Sequence, residues 1–170
     1  MKLKSIYLIL GILFLFISCN KKHETETEIE NKFVKTWYDT EYIIPGRSKL
    51  IIKKDSTFNY TSAGCDWRSF SKGKWKMSGD FIELTSTKVD TCYVVFPFLD
   101  CGFFDRKNKE RLLTIPNCEP KGNSDFCFFN KEKFYLKNDS LVCKIKPESK
   151  CPDTLKIVFA KTPKIPKHYN

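Results

Sequence analysis

From Phe33 to Ala160 the chain is written in short runs of period two, and no apolar stripe is sustained at helical spacing. Successive side chains of a strand point to opposite faces, so an apolar residue at every second position offers one face to a core. Gly73–Ser86, GKWKMSGDFIELTS, states the pattern most clearly. Trp75 and Met77 point one way before the turn Ser78-Gly79-Asp80, and Ile82 and Leu84 point the same way after it. Apolar alternation broken by a Gly-containing turn is the grammar of a β-hairpin. Hairpins in series bury their apolar faces and edges as an antiparallel barrel or sandwich, and that all-β class is the expectation here.

The same grammar recurs. Ser48–Lys54 and Thr57–Thr61 flank Asp55-Ser56, with Phe58 and Tyr60 alternating with polar residues. Along Lys133–Ile145, the residues Phe134, Leu136, Asp139, Leu141 and Cys143 repeat Trp75, Met77, Asp80, Ile82 and Leu84 at a constant offset. An internal duplication would produce this, but so does alternation around any turn of Asn, Asp or Gly, which is the simpler reading. Further strands are predicted at Lys35–Tyr42, Thr91–Phe96, Arg111–Ile115 and Leu155–Ala160. A hydrophobic content of 41% with 15% aromatics places the chain among globular proteins rather than disordered ones. The β-rich domain is expected over 33–160. Residues 161–170 carry Pro163 and Pro166 and are expected as an extended tail.

Lys35-Thr36-Trp37, Leu50-Ile51-Ile52, Asp55-Ser56-Thr57-Phe58 and Gly73-x-Trp75-x-x-x-Gly79-Asp80-x-Ile82-x-Leu84 resemble the small lipocalin-like lipoproteins of Bacteroidetes-type bacteria. In that pattern a first Gly-x-Trp, an Asp-Gly turn and a second Gly-x-Trp recur. Lys35 stands in place of the first Gly and Ser56 in place of the turn Gly, while Gly73-Lys74-Trp75 is intact. The likeness covers Phe33–Ser86 and stops before the cysteine-rich half. It implies a barrel with Trp37 plugging the closed end and an open end admitting an apolar ligand. The simpler reading of Trp37 and Trp75 is structural core, and that is the expectation for both.

The N-terminus reads as an address. Lys2 and Lys4 precede an apolar run, Ile6–Ile17, which is shorter than the ~20 residues of a membrane-spanning helix. Charge, apolar run and small Ser18 follow the order of a secretory signal peptide, assigned to 1–18. Phe16-Ile17-Ser18-Cys19 resembles the lipobox of bacterial lipoproteins, whose Cys becomes the lipidated first residue; Cys19 is the lipidation candidate. The resemblance implies three acyl chains, and since one myristoyl chain holds a protein only marginally, three anchor it durably. Asn20 is not the Asp associated with inner-membrane retention, so the outer membrane, on either face, is the expected location. Residues 19–32, with Asn20–Lys32 almost wholly polar, are expected as a flexible tether.

The other cysteines are 65, 92, 101, 118, 127, 143 and 151, an odd number. Outside the cytoplasm such density reads as a disulfide framework stapling loops, with Cys92, Cys101, Cys118, Cys127, Cys143 and Cys151 as candidates. Cys65 stands apart and is the expected free thiol. Spacing does not give the pairing. No C-x₂₋₄-C pair occurs and His23 and His168 lie near the ends, so no metal or other cofactor is expected.

Catalysis by an activated nucleophile needs a base held in reach, and neither histidine is placed for that. Asp100 and Asp105 are more economically turn carboxylates than an acid–base pair. The chain is therefore expected to be non-enzymatic. Its net charge is +10, but lysines are spread throughout and arginine occurs only at 47, 68, 106 and 111, which argues against nucleic acid. Phe96-Pro97-Phe98-Leu99, Cys101-Gly102-Phe103-Phe104 and Phe126–Phe129 are continuous apolar runs, read either as loops stapled onto the barrel or as a binding surface. Phe98, Phe103, Phe104 and Phe128 are the contact candidates. The expected function is a lipid-anchored envelope protein that binds a small apolar ligand or an envelope partner. The alternative is an assembly or interaction protein whose barrel is filled.

Overall fold

Alternation along the chain reappears as alternating burial, residue by residue. The computed structural model describes residues 26–41, 47–99, 101, 111–149 and 151–163. Strand β1 (Thr36–Glu41) follows helix α1 (Glu26–Phe33); β2 (Arg47–Ile52), β3 (Thr57–Ala63), β4 (Arg68–Ser78) and β5 (Phe81–Ser86) form a meander. Then come β6 (Val95–Pro97), β7 (Ser124–Phe128), β8 (Glu132–Lys137), β9 (Ser140–Lys144) and β10 (Val158–Ala160). In β2 and β3, Ser48, Leu50, Ile52, Phe58, Tyr60 and Ser62 turn inward, and the residues between them are exposed or half-buried.

Eight strands close into an antiparallel barrel in the order β1-β2-β3-β4-β5-β8-β9-β10, with β10 pairing back to β1. Closure leaves these strands no open edge along the ring. In β1 the register slips between Asp39 and Glu41, and the hydroxyl of Thr40, the residue between them, donates to the Val158 carbonyl at 2.9 Å. A bulge of this kind increases local twist where the ring must shut.

The hairpin of β4 and β5 pairs Trp75 with Leu84 and Met77 with Ile82, as the alternation predicts. Gly79 sits at φ +63° in its two-residue turn, a conformation glycine adopts at little cost. The matching hairpin of β8 and β9 turns on Asn138 and Asp139, both at positive φ, so the two turns differ in backbone although their strands share a pattern. Gly73 is required for a separate reason: a Cβ there would lie 2.1 Å from the Thr85 carbonyl oxygen and 2.6 Å from the Phe58 ring.

Within the ring, aromatic side chains meet edge to face and stacked. Phe129 touches Phe58 (5.1 Å between centroids), Tyr60 (5.3 Å) and Phe98 (4.2 Å, stacked), and Phe98 leads on to Phe134 and Phe159. Each contact adds about 0.5–1.5 kcal/mol beyond area burial. Trp37 and Trp75 are buried, their indole N–H groups donating to the carbonyls of Phe33 (2.9 Å) and Lys53 (2.8 Å).

Between β5 and β8 the chain leaves the ring. β7 pairs parallel with the start of β4, and β6 parallel with β7. Cys92–Cys118 closes a loop within this excursion, and Cys101–Cys151 ties it to the connection between β9 and β10.

Several expectations are corrected. Residues 26–32, expected as tether, belong to α1, which ends on Phe33; that ring is buried, so the helix is docked onto the barrel. Thr91–Phe96 yields only the short β6, and Arg111–Ile115 only a single bridge, Val94 to Leu113. Leu155–Ala160 narrows to β10, because Leu155 is held in a turn by the Pro152 carbonyl. Cys127 and Cys143, expected in disulfides, are buried free thiols. Both lie on strands whose ladder positions give them other packing partners; Cys65 is free and exposed, as expected. Burial pushes both buried thiols well above the ordinary range.

Candidate functional site

Of the four phenylalanines expected to contact a ligand or partner, Phe98 is corrected: it is a core ring, 5% exposed and stacked on Phe129. Its backbone N–H donates to the Phe128 carbonyl at 2.9 Å, which turns the side chain inward. Phe128, on the opposite face of β7 from the buried Cys127, is exposed. Phe103, Phe104, Asp100 and Asp105 lie outside the described residues, as does Cys19. No three potential metal ligands cluster among the described residues.

The chemistry that does converge lies at the rim where β2 and β4 begin and β3 ends. A hollow of about 240 Å³ opens there, with Arg47, Arg68, Thr61, Ser62, Ser69 and Ser124 on its walls. Strand register assembles it. Arg47 pairs with Ala63, Ala63 with Arg68, and Arg68 with Ser124, so one row crosses four strands and presents these side chains on one face. Neighbouring strands are about 4.8 Å apart, which places the roots of the two arginines about 10 Å apart across the methyl group of Ala63. The next row on that face runs Lys49–Thr61–Phe70–Phe126. Phe70 is held edge-on by Tyr93 (4.9 Å) and Phe126 (5.6 Å), giving the hollow a fixed aromatic wall.

Beneath the rim the barrel interior changes from rings to hydroxyls. Ser48 and Ser62 share a hydrogen bond of 2.7 Å, the Tyr60 hydroxyl donates to Ser48 Oγ at 3.4 Å, and the Ser48 N–H donates to Asp39. Neither Arg47 nor Arg68 makes an ion pair among the described residues. The contrast is Glu132, buried in the barrel with Oε1 bound by Lys146 at 2.9 Å and Oε2 without a partner among the described residues. That carboxylate is internally neutralised on one oxygen, while the two arginines are exposed and make no ion pair among the described residues.

Arginine is scarce and scattered in the sequence, at 47, 68, 106 and 111, so this pair is not apparent there. The usable signal was register: Arg47 and Arg68 are brought level by successive turns at Asp55-Ser56 and at Gly64–Trp67. No protein-family model, curated protein or solved structure matches this chain.

Proposed function

We propose that this chain is a lipid-anchored envelope protein, non-enzymatic, that acts through its surface rather than by enclosing an apolar ligand. The filled ring carries the choice between these two modes. Trp37, Phe58, Tyr60, Phe129, Phe134 and Phe159 are each at most 1% exposed and occupy the space a lipocalin-type ligand would need. Drug-sized ligands take pockets of about 300–1,000 Å³, above the hollow at the rim. Anchoring is supported by Lys2, Lys4, the run Ile6–Ile17 and Cys19 in its lipobox-like setting. It predicts that Cys19→Ser moves the protein from the membrane to the soluble fraction; retention in the membrane overturns it. Native mass spectrometry of the secreted Cys19→Ser protein tests the surface reading. The bare polypeptide mass, less two hydrogens per disulfide, is expected. A co-purifying apolar mass removed by organic extraction would return the protein to the ligand-carrying class.

A further inference from the structure

We propose that the hollow between Arg47 and Arg68 is a binding site for a phosphate-class oxyanion. The inference is independent of lipidation and of what the barrel encloses. It rests on a built geometry: two guanidiniums on one face of the sheet, separated by a single alanine, at the edge of a hollow where the hydroxyl-bearing Thr61 and Ser124 share that face. A guanidinium presents its donors as a rigid planar fork that binds two oxygens at once. Two forks and a hydroxyl such as that of Thr61 or Ser124 match the three free oxygens of a phosphomonoester. A carboxylate, with two oxygens, is satisfied by one fork and leaves the second unused. A larger residue at 63 would fill the gap into which both forks must reach.

Charge around the site agrees. Lys49 shares the face one row further along, adding a third cation. Of the carboxylates nearest in sequence, two are turned elsewhere and one, Asp66, lies in the exposed turn before β4. Asp125 follows Ser124 and so takes the opposite face of β7, and Asp39 accepts from the Ser48 N–H. Phe70, fixed between Tyr93 and Phe126, offers a flat apolar surface beside the anion for the organic part of an ester.

The test is isothermal titration of the purified full chain with inorganic phosphate, phenyl phosphate and monomeric dihexanoyl phosphatidate, each against sodium chloride of equal ionic strength. Saturable one-site binding is expected for at least one ester. Arg47→Gln and Arg68→Gln should each weaken it by about tenfold or more, since each removes a charged fork. Lys137→Gln, an exposed change in the last residue of β8, at the end of the ring opposite the rim, should leave affinity within about twofold. Arg68→Lys keeps the charge but not the fork and should also bind more weakly. Tighter binding of phosphatidate than of phenyl phosphate identifies a lipid headgroup as the source; equal or weaker binding identifies a free organic phosphate. Heats that sodium chloride abolishes at equal ionic strength overturn the proposal. So does full affinity in the glutamine variants or in Arg68→Lys, which would reduce the hollow to general basic surface. Both arginines are exposed, so unchanged thermal unfolding midpoints will separate lost binding from lost fold.

Discussion

In the barrel each strand hands its apolar face to the next by antiparallel pairing, and no disulfide joins two of its strands. In the excursion between β5 and β8 the strands are short and parallel, a single bridge replaces a ladder at Val94 and Leu113, and both disulfides engage this segment. The ring encloses enough aromatic surface to hold itself. Most described residues of the excursion are exposed or half-buried, and Leu112, Ile115 and Phe128 remain exposed. Covalent closure substitutes there for burial, as it does in small domains with too little core. Where the two regions meet, Phe98 and Phe129 leave the excursion and enter the ring, so the staples also position two core rings.

The largest effect should come from the ring. Trp75→Ala removes a buried indole and orphans the Lys53 carbonyl, and should cost about 3–5 kcal/mol in denaturant unfolding. An unchanged melting temperature would show that Trp75 is not part of the core and would break the comparison at its stronger side. Next is Cys101→Ala with Cys151→Ala. The loop it closes has a sequence separation of 50, and chain entropy sets an upper value of about 4 kcal/mol. The expected signature is partial: amide exchange should accelerate in β6 and β7 before β8 and β9, since the excursion is held at fewer points. Uniform acceleration would show one cooperative unit instead of two.

Thiol chemistry sharpens the same boundary. An alkylating reagent should label Cys65 at once, because it is exposed, and Cys127 and Cys143 only through opening. Their raised pKa values keep both as unreactive thiols in the folded state. Cys127 lies on β7 and Cys143 on β9, so Cys127 should be modified first in sub-denaturing urea. Equal rates would again argue for a single unit. Because both folded pKa values are raised, the stability they contribute is fully present below the ordinary thiol pKa of the unfolded chain and erodes as pH climbs above it.

The ring was legible in the sequence because its rule is local. Period two at Leu50–Ile52, Phe58–Tyr60, Trp75–Met77 and Ile82–Leu84 states which face is buried, and the turns state the pairing. The excursion was not legible, since parallel pairing of β4 with β7 depends on residues far apart in sequence with no turn between them to fix the register. Disulfide partners follow from that placement and were equally hidden. Cys127 and Cys143 have the composition of a framework but the positions of core residues. The helix α1 was not legible because its sequence, ETEIENKF, is mostly charged and polar, with Phe33 the large buried side chain among its described ones. The arginine pair needs the register of three strands before its members become neighbours at all.

Turns provide the next smaller effect. Asn138 and Asp139 sit at φ 48° and 62°, in a two-residue turn that demands positive φ at both positions. Asn138→Ala should destabilise by about 1 kcal/mol, since alanine lacks the local hydrogen bonding that lets asparagine accept this conformation. Asn138→Gly should be neutral or slightly stabilising. A neutral alanine variant would mean that the β8–β9 pairing, rather than its turn, sets the register of this side of the barrel.

The smallest effect tests how the ring's last strand is secured. Lys161, just beyond β10, donates to the Asp139 carboxylate at 2.6 Å, joining the start of the tail to the β8–β9 turn. Hydrogen bonding and the lysine's charge hold the Asp139 pKa below the ordinary carboxylate value. A carboxylate depressed on folding stabilises the protein above its unfolded pKa, and that contribution disappears as pH falls through the folded value. Wild type and Lys161→Ala should therefore differ slightly at neutral pH and low salt, and converge in acid. The pair is solvent-exposed, so salt screening should also bring the two together. A difference that persisted in both strong salt and acid could not arise from the ion pair. It would place the contribution of Lys161 in its aliphatic stem, packed where β10 closes the ring.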